Sequence, residues 1–162
     1  MTKTKDPRPI LVAIDFSADS EAALLWASNY TKCSQSPLII LHIIHDPAAA
    51  PGFYHQEGND WSKPMAAVAN RMSEDFMKKM YEKHPSLSCI HDARLEFIQG
   101  LPPGRIVEFA EKENAQIIVM GSCGRSGLAH ILLGSVAERV AQLSKVPVVI
   151  VKTSCEAEEE NE

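Results

Sequence analysis

The sequence predicts an α/β domain in which a mainly parallel sheet is covered by helices on both faces. Three observations carry that expectation. Five apolar runs alternate with segments of helical spacing along the 162 residues, the pattern of repeated strand–helix units. Four of the runs are nearly continuous in Val, Ile, Leu and Ala, as strands buried on both faces require. A glycine-spaced segment, Gly121-Ser122-Cys123-Gly124, follows the fourth run and leads towards a helical pattern, a strand-to-helix junction that aims backbone N–H groups outward.

Ile10 to Ile14 is the first strand. Ser17 to Cys33 follows as a helix, opened by Ser17 and Asp19 and offering Ala22, Ala23, Leu25 and Trp26 to a buried face. Leu38 to Ile44 is the second strand. The connection from Asp46 to Ser62 is rich in Pro, Gly, Ala and His, and is read as a surface loop pinned by Phe53, Tyr54 and Trp61. Lys63 to Lys83 is the second helix, with Val68, Met72, Phe76 and Met80 as its core stripe. The third strand, Ala93 to Ile98, alternates apolar and polar residues and belongs nearer an edge. Pro102-Pro103-Gly104 introduces a helix from about Arg105 to Lys112, since Pro suits a first turn. Ile117 to Met120 is the fourth strand, and a helix from about Ser135 to Ser144 precedes the fifth, Val146 to Val151, an apolar edge that needs cover. Ser135 with Glu138 three residues on has the spacing of a capping box.

This length supports one domain with a real core. Residues 1–8 are expected to be a flexible lead, 9–153 the domain, and 154–162 a solvated acidic tail. The net charge of −5 is mild, and Lys and Arg are interspersed with acids rather than gathered in a stripe, so nucleic acid is not an expected partner. No apolar stretch is long enough for a signal peptide or a membrane span, which makes a cytoplasmic location the expectation. Cys33, Cys89, Cys123 and Cys155 stand far apart without a Cys-x-x-Cys pair, so reduced thiols are expected. His42 and His45, three apart on a strand, point to opposite faces and do not share a metal ion.

In an open α/β sheet, ligands settle beyond the carboxyl ends of the strands, where the strand order reverses. The first strand runs out into Asp15, whose charge repels a pyrophosphate and suits a ribose or an adenine edge, the alternative being that it caps the first helix together with Ser17. The fourth runs out into the glycine segment, so an anion belongs there. Neither a Gly-x-x-x-x-Gly-Lys-Ser/Thr loop nor a Gly-x-Gly-x-x-Gly after the first strand is present, which removes P-loop hydrolases and dinucleotide oxidoreductases. What remains is Gly121-x-x-Gly124, nine residues, then Gly134-Ser135. Arg125 is either a phosphate-neutralising cation or a solvated loop charge.

These features resemble the universal stress protein family, of the kind that binds ATP. The resemblance covers about Pro9 to Thr153 and rests on Ile10-Leu11-Val12-Ala13-Ile14-Asp15-Phe16-Ser17, on Leu41-His42-Ile43-Ile44, and on the signature from Gly121 through Gly124 to Gly134-Ser135-Val136. It implies a five-stranded parallel sheet of order 3-2-1-4-5, with adenine near Ala13, Asp15 and Ile43. Phosphates would then lie over Gly121, Gly124, Gly134 and Ser135, with Met120 and Val136 lining the same pocket. It also implies a homodimer paired through the last strand, Val148 to Val151. Cys123 stands where family members often carry His, and Ala13 where some carry Pro; both leave the glycine frame intact.

The function expected on that basis is a small regulatory protein of the stress response, a switch or sensor that binds ATP, arriving with Mg2+, and answers to an unidentified protein partner. No positioned nucleophile, general base or phosphate-reaching Lys can be named around the loop, so hydrolysis would be slow. Two alternatives stay open: a weak ATPase or nucleotidyl-transferring enzyme on the same fold, and an interaction module with a vestigial pocket.

Overall fold

The computed structural model describes residues 7–45, 65–85, 87, 90–123 and 133–153. Along the chain these form β1 (Ile10–Ile14), α1 (Ala18–Ser34), β2 (Leu38–Ile44), α2 (Met65–Lys83), β3 (Arg94–Gln99), α3 (Pro102–Lys112), β4 (Ile117–Gly121), α4 (Ser135–Leu143) and β5 (Val148–Val151). The strands make one sheet of order β3-β2-β1-β4-β5, and every pairing is parallel. The expected fold class and strand order are both present.

Burial explains the runs. Every residue of β1 and β2 is buried, because both strands are interior to the sheet and helices lie on each side of them. α1 supplies Ala23, Leu24 and Ala27 to one face, joined there by Phe76 and Met80 of α2 against Ile10, Val12, Ile14 and Ile40. α3 and α4 supply Ile106, Phe109, Ala110, Ala137 and Val140 to the other face, against Leu11, Ile39, Leu41 and Ile118. Burying a Leu or Ile side chain in either layer stabilises the fold by roughly 1.5–3 kcal/mol. β3 and β5 form the two edges, and β3 is exposed or half-buried along its whole length without following its apolar–polar alternation, since Leu95 is exposed and Glu96 half-buried.

Two details depart from the sequence reading. Trp26 lies outside the buried face of α1, 37% exposed, and stacks on Tyr30 with 5.3 Å between ring centroids. The buried stripe of that helix instead runs through Asp19, Ser20, Ala23, Leu24, Ala27, Ser28 and Thr31, so it is built largely from small and polar side chains. Prolines 102 and 103 are inside α3, at its first turn, and the helix starts three residues earlier than expected. Among the described residues, no helix is long and apolar enough to cross a membrane. The connection from Asp46 to Ser62 lies outside the described residues.

Candidate functional site

The strand order reverses between β1 and β4, where Ala13 is in register with Met120. From β1 the chain steps outward to β2 and β3, then returns to β4 and steps the other way. Helices leaving β1 and β4 therefore diverge to opposite faces and leave a crevice above the carboxyl ends.

Exposure along the strands marks the same end. On the face shared with α3 and α4, Leu11, Leu41 and Ile118 are 0% exposed, whereas the next residues on that face, Ala13, Ile43 and Met120, rise to 8%, 7% and 5%. Val136, in the first turn of α4, packs partly buried against this cluster. The residues expected around an adenine are thus brought together on one face, at the rim of the core. Ala13, flanked by Leu41 and Met120 in the neighbouring strands, is the smallest side chain of the three.

Asp15 follows β1 directly, and its carboxylate is occupied. Its Oδ1 accepts from the Ser17 amide at 3.1 Å and from the hydroxyls of Ser17 and Ser20 at 2.5 Å each. The Asp15 amide donates in turn to Ser20 Oγ at 2.8 Å. Asp15 is therefore built into the start of α1, which Ser17 caps by accepting from the Ser20 amide. Between Asp15 and Ser17, Phe16 takes a left-handed backbone with φ of 64°, a conformation that bulky side chains seldom adopt. No local signal announces it, since glycine or asparagine would be the expected residue there.

The glycine segment starts at Gly121, the last residue of β4. A β-carbon on Gly121 would lie 2.6 Å from that of Asp19 and 2.9 Å from its carbonyl carbon. The first turn of α1 packs so close that no side chain fits, which gives this glycine a steric role whatever it binds. The Ser122 amide donates to the Val151 carbonyl at 2.8 Å, and the Ser122 carbonyl accepts from the Gly134 amide at 2.7 Å. Both ends of the signature therefore meet at Ser122. Gly124 and Arg125 lie outside the described residues.

The expected capping box at Ser135 is not formed. Gly134 is the N-cap of α4, and its carbonyl accepts from the Glu138 amide at 2.9 Å. Ser135 is then the first helical residue and Glu138 the fourth, one place too far along to reach back. The Glu138 carboxylate instead accepts from Gln142 Nε2 at 3.3 Å. With Gly134 at the N-cap and Ser135 exposed, the start of α4 has no side-chain cap among the described residues.

Asp19 was legible only as a helix-start residue, yet its carboxylate joins three separate parts of the chain. It is 9% exposed. Its Oδ2 accepts from Ser122 Oγ and from the Cys123 amide, both at 2.8 Å, and its Oδ1 accepts from Thr153 Oγ1 at 2.7 Å. Burial raises the Asp19 carboxyl, but the bonds from Thr153, Cys123 and Ser122 outweigh it and hold the group below its ordinary value. Ser122, Cys123 and Thr153 lie 103, 104 and 134 residues away in sequence, beyond any local pattern.

Comparison with known proteins agrees with this architecture. The profile of the universal stress protein family matches residues 7–152. Universal stress protein Rv2623 of Mycobacterium tuberculosis is 30% identical over 146 residues, which is 90% of this chain and 46% of that protein. The chain likewise spans only 34% of universal stress protein MJ0531 of Methanocaldococcus jannaschii, 56% identical over 57 residues that make up 35% of this chain. Among solved structures, protein MJ0577 of Methanocaldococcus jannaschii superposes with a TM-score of 0.65 at 30% identity, covering 92% of this chain and 98% of the other. A universal stress protein solved in complex with cAMP superposes with a TM-score of 0.62 at 25% identity, covering 93% and 100%. On the match over residues 7–152, this chain belongs to the universal stress protein family.

Proposed function

We propose that the chain is a small cytoplasmic regulator of the stress response that binds ATP, with Mg2+ arriving on the nucleotide, through a single domain spanning residues 9–153. The observation that carries this reading is the start of α4: an N-terminus without a side-chain cap, tied by the Gly134–Ser122 bond to the carboxyl end of β4. First-turn amides and the positive end of the helix dipole suit a phosphate. Adenine would lie against Ala13, Ile43, Met120 and Val136, and phosphates over Gly121, Gly124, Gly134 and Ser135, with Arg125 beside them. Asp15, with its Oδ1 committed to the start of α1, would use its second oxygen for a ribose or adenine edge. The related structure solved with cAMP supports an adenine nucleotide as the class of ligand.

On this reading ATP supplies occupancy, and the signal is the changed surface around the glycine segment, read by a protein partner. Pairing of β5 edges between two copies covers the apolar strand at the end of the sheet.

Calorimetry with ATP tests the site. Wild type binds, and a double substitution Gly124→Leu with Gly134→Leu does not. Equal binding by both proteins sinks the assignment, and a turnover assay showing rapid hydrolysis replaces the switch with an enzyme.

A further inference from the structure

One buried carboxylate joins three separate parts of the chain. Asp19 sits in the first turn of α1, Ser122 and Cys123 open the glycine segment after β4, and Thr153 stands two residues beyond the end of the edge strand β5. Both Asp19 oxygens are used, one on each side of the junction. Gly121 lets the α1 backbone come close enough for this to happen.

We propose that Asp19 is the positioning residue of the glycine segment, holding the Ser122 hydroxyl, the Cys123 amide and the Thr153 hydroxyl beyond β5 on a single carboxylate so that movement at either end is felt at the other. The proposal rests on the nucleotide reading above and adds a residue that touches neither adenine nor phosphate. The physical argument is one of shared acceptors. The Cys123 amide and the Ser122 hydroxyl take one oxygen, so the direction in which the backbone leaves β4 follows the angle of the carboxylate. Thr153 holds the other oxygen, and a backbone bond from the same residue adds to it. Rotation of the carboxylate about its own bond therefore moves both contacts together. Charge-assisted bonds of this kind are short and directional, and burial of Asp19 and Ser122 shields the side of the carboxylate that faces the glycine segment.

The alternative is a purely structural staple, whose loss lowers stability without touching ligand preference. Binding of ATP and of adenosine, measured side by side by calorimetry, separates the two. Asp19→Asn keeps the shape and offers Thr153 a donor in place of an acceptor; Thr153→Val removes one bond at the surface and leaves the core alone. Expected is a loss of ATP affinity of about tenfold in Asp19→Asn and about threefold in Thr153→Val, with adenosine unchanged, since only the phosphate end of the site moves. An ATP-to-adenosine ratio equal to wild type in both variants overturns the proposal, as does an equal loss of both ligands.

Amide hydrogen exchange in the ligand-free protein gives a readout that does not depend on nucleotide. Thr153→Val speeds exchange at the Cys123 amide and leaves Leu11 and Ile118 protected. Unchanged exchange at Cys123 overturns the coupling to β5. Wild type that binds neither ATP nor adenosine overturns the nucleotide reading, and with it the ligand half of the proposal, while leaving the exchange result to decide the other half.

Discussion

The ring of Phe16 lies over the imidazole of His42, with 4.3 Å between centroids and 32° between planes. Phe76 meets the same phenyl ring edge-on at 5.6 Å, and His42 Nδ1 donates to the Ile14 carbonyl at 2.8 Å. This aromatic packing holds Phe16 in its left-handed backbone and thereby turns the chain from β1 into α1, placing Asp15 and Ser17 within reach of Ser20.

Backbone strain and ring packing at Phe16 oppose each other, and the two are separable. Phe16→Ala loses the ring and keeps the strain, whereas Phe16→Gly loses the ring and relieves it. Both variants are less stable than wild type, but the glycine variant is the more stable of the two by about 1 kcal/mol. Urea denaturation reads the order; an alanine variant as stable as the glycine variant refutes the strain.

At Gly121 a single methyl group has nowhere to go. Gly121→Ala drives a β-carbon into the Asp19 backbone and is expected to destabilise the protein by about 1–3 kcal/mol. A midpoint of urea unfolding unchanged from wild type shows that α1 is free to retreat.

Adding a negative charge at the start of α4 has opposite effects on fold and ligand. Ser135→Asp complements the helix dipole and raises stability by about 0.3–1 kcal/mol. The same charge repels phosphates, so ATP affinity falls by about tenfold or more while adenosine binding holds. Loss of both ligands together, or of neither, contradicts the phosphate position.

The lowered Asp19 carboxyl fixes the sign of one pH effect. Its folded-state value lies below the unfolded value of about 4, so its contribution to stability is fully present above the unfolded value. That contribution is lost as pH falls through the folded value, because the unfolded chain takes up the proton first. Stability of wild type and Asp19→Asn, compared by denaturant titration from neutral pH downward, should differ by a constant amount above about pH 5 and converge in stronger acid. A gap that widens on acidification reverses the sign and refutes the account.

Charge on the β5 edge tests the pairing of two copies. Val149 packs partly buried against the α1 and α2 face, and Val149→Lys keeps an apolar stem there while adding an ammonium group that a paired edge has to bury. Monomers in sedimentation, with an unchanged circular dichroism spectrum, are the expected outcome. A dimer of wild-type stability places the interface elsewhere.

The sheet was readable because strands covered on both faces leave unbroken apolar runs, as in β1 and β2, and because an edge such as β3 alternates. Its strand order came only through the family resemblance, since nothing local in Ile117 to Met120 says which strand it pairs with. In the site, Ala13, Ile43, Met120 and Val136 do share one face. Asp19 escaped because its partners are more than a hundred residues away. The cap of α4 was misplaced by one position, enough to turn Ser135 from a capping residue into an exposed first-turn residue. Trp26 was expected on the buried face, but the α1 face against the sheet is formed by Ala23, Leu24 and Ala27 with small polar neighbours.

The bond from the Gly134 amide to the Ser122 carbonyl also makes Ser122 the point where three elements are tied. Its amide is bound to β5 through the Val151 carbonyl, its hydroxyl to α1 through Asp19, and its carbonyl to the N-cap of α4. With amide, carbonyl and hydroxyl each committed to the fold, Ser122 acts as an anchor for the groups on either side of it rather than as a contact of its own.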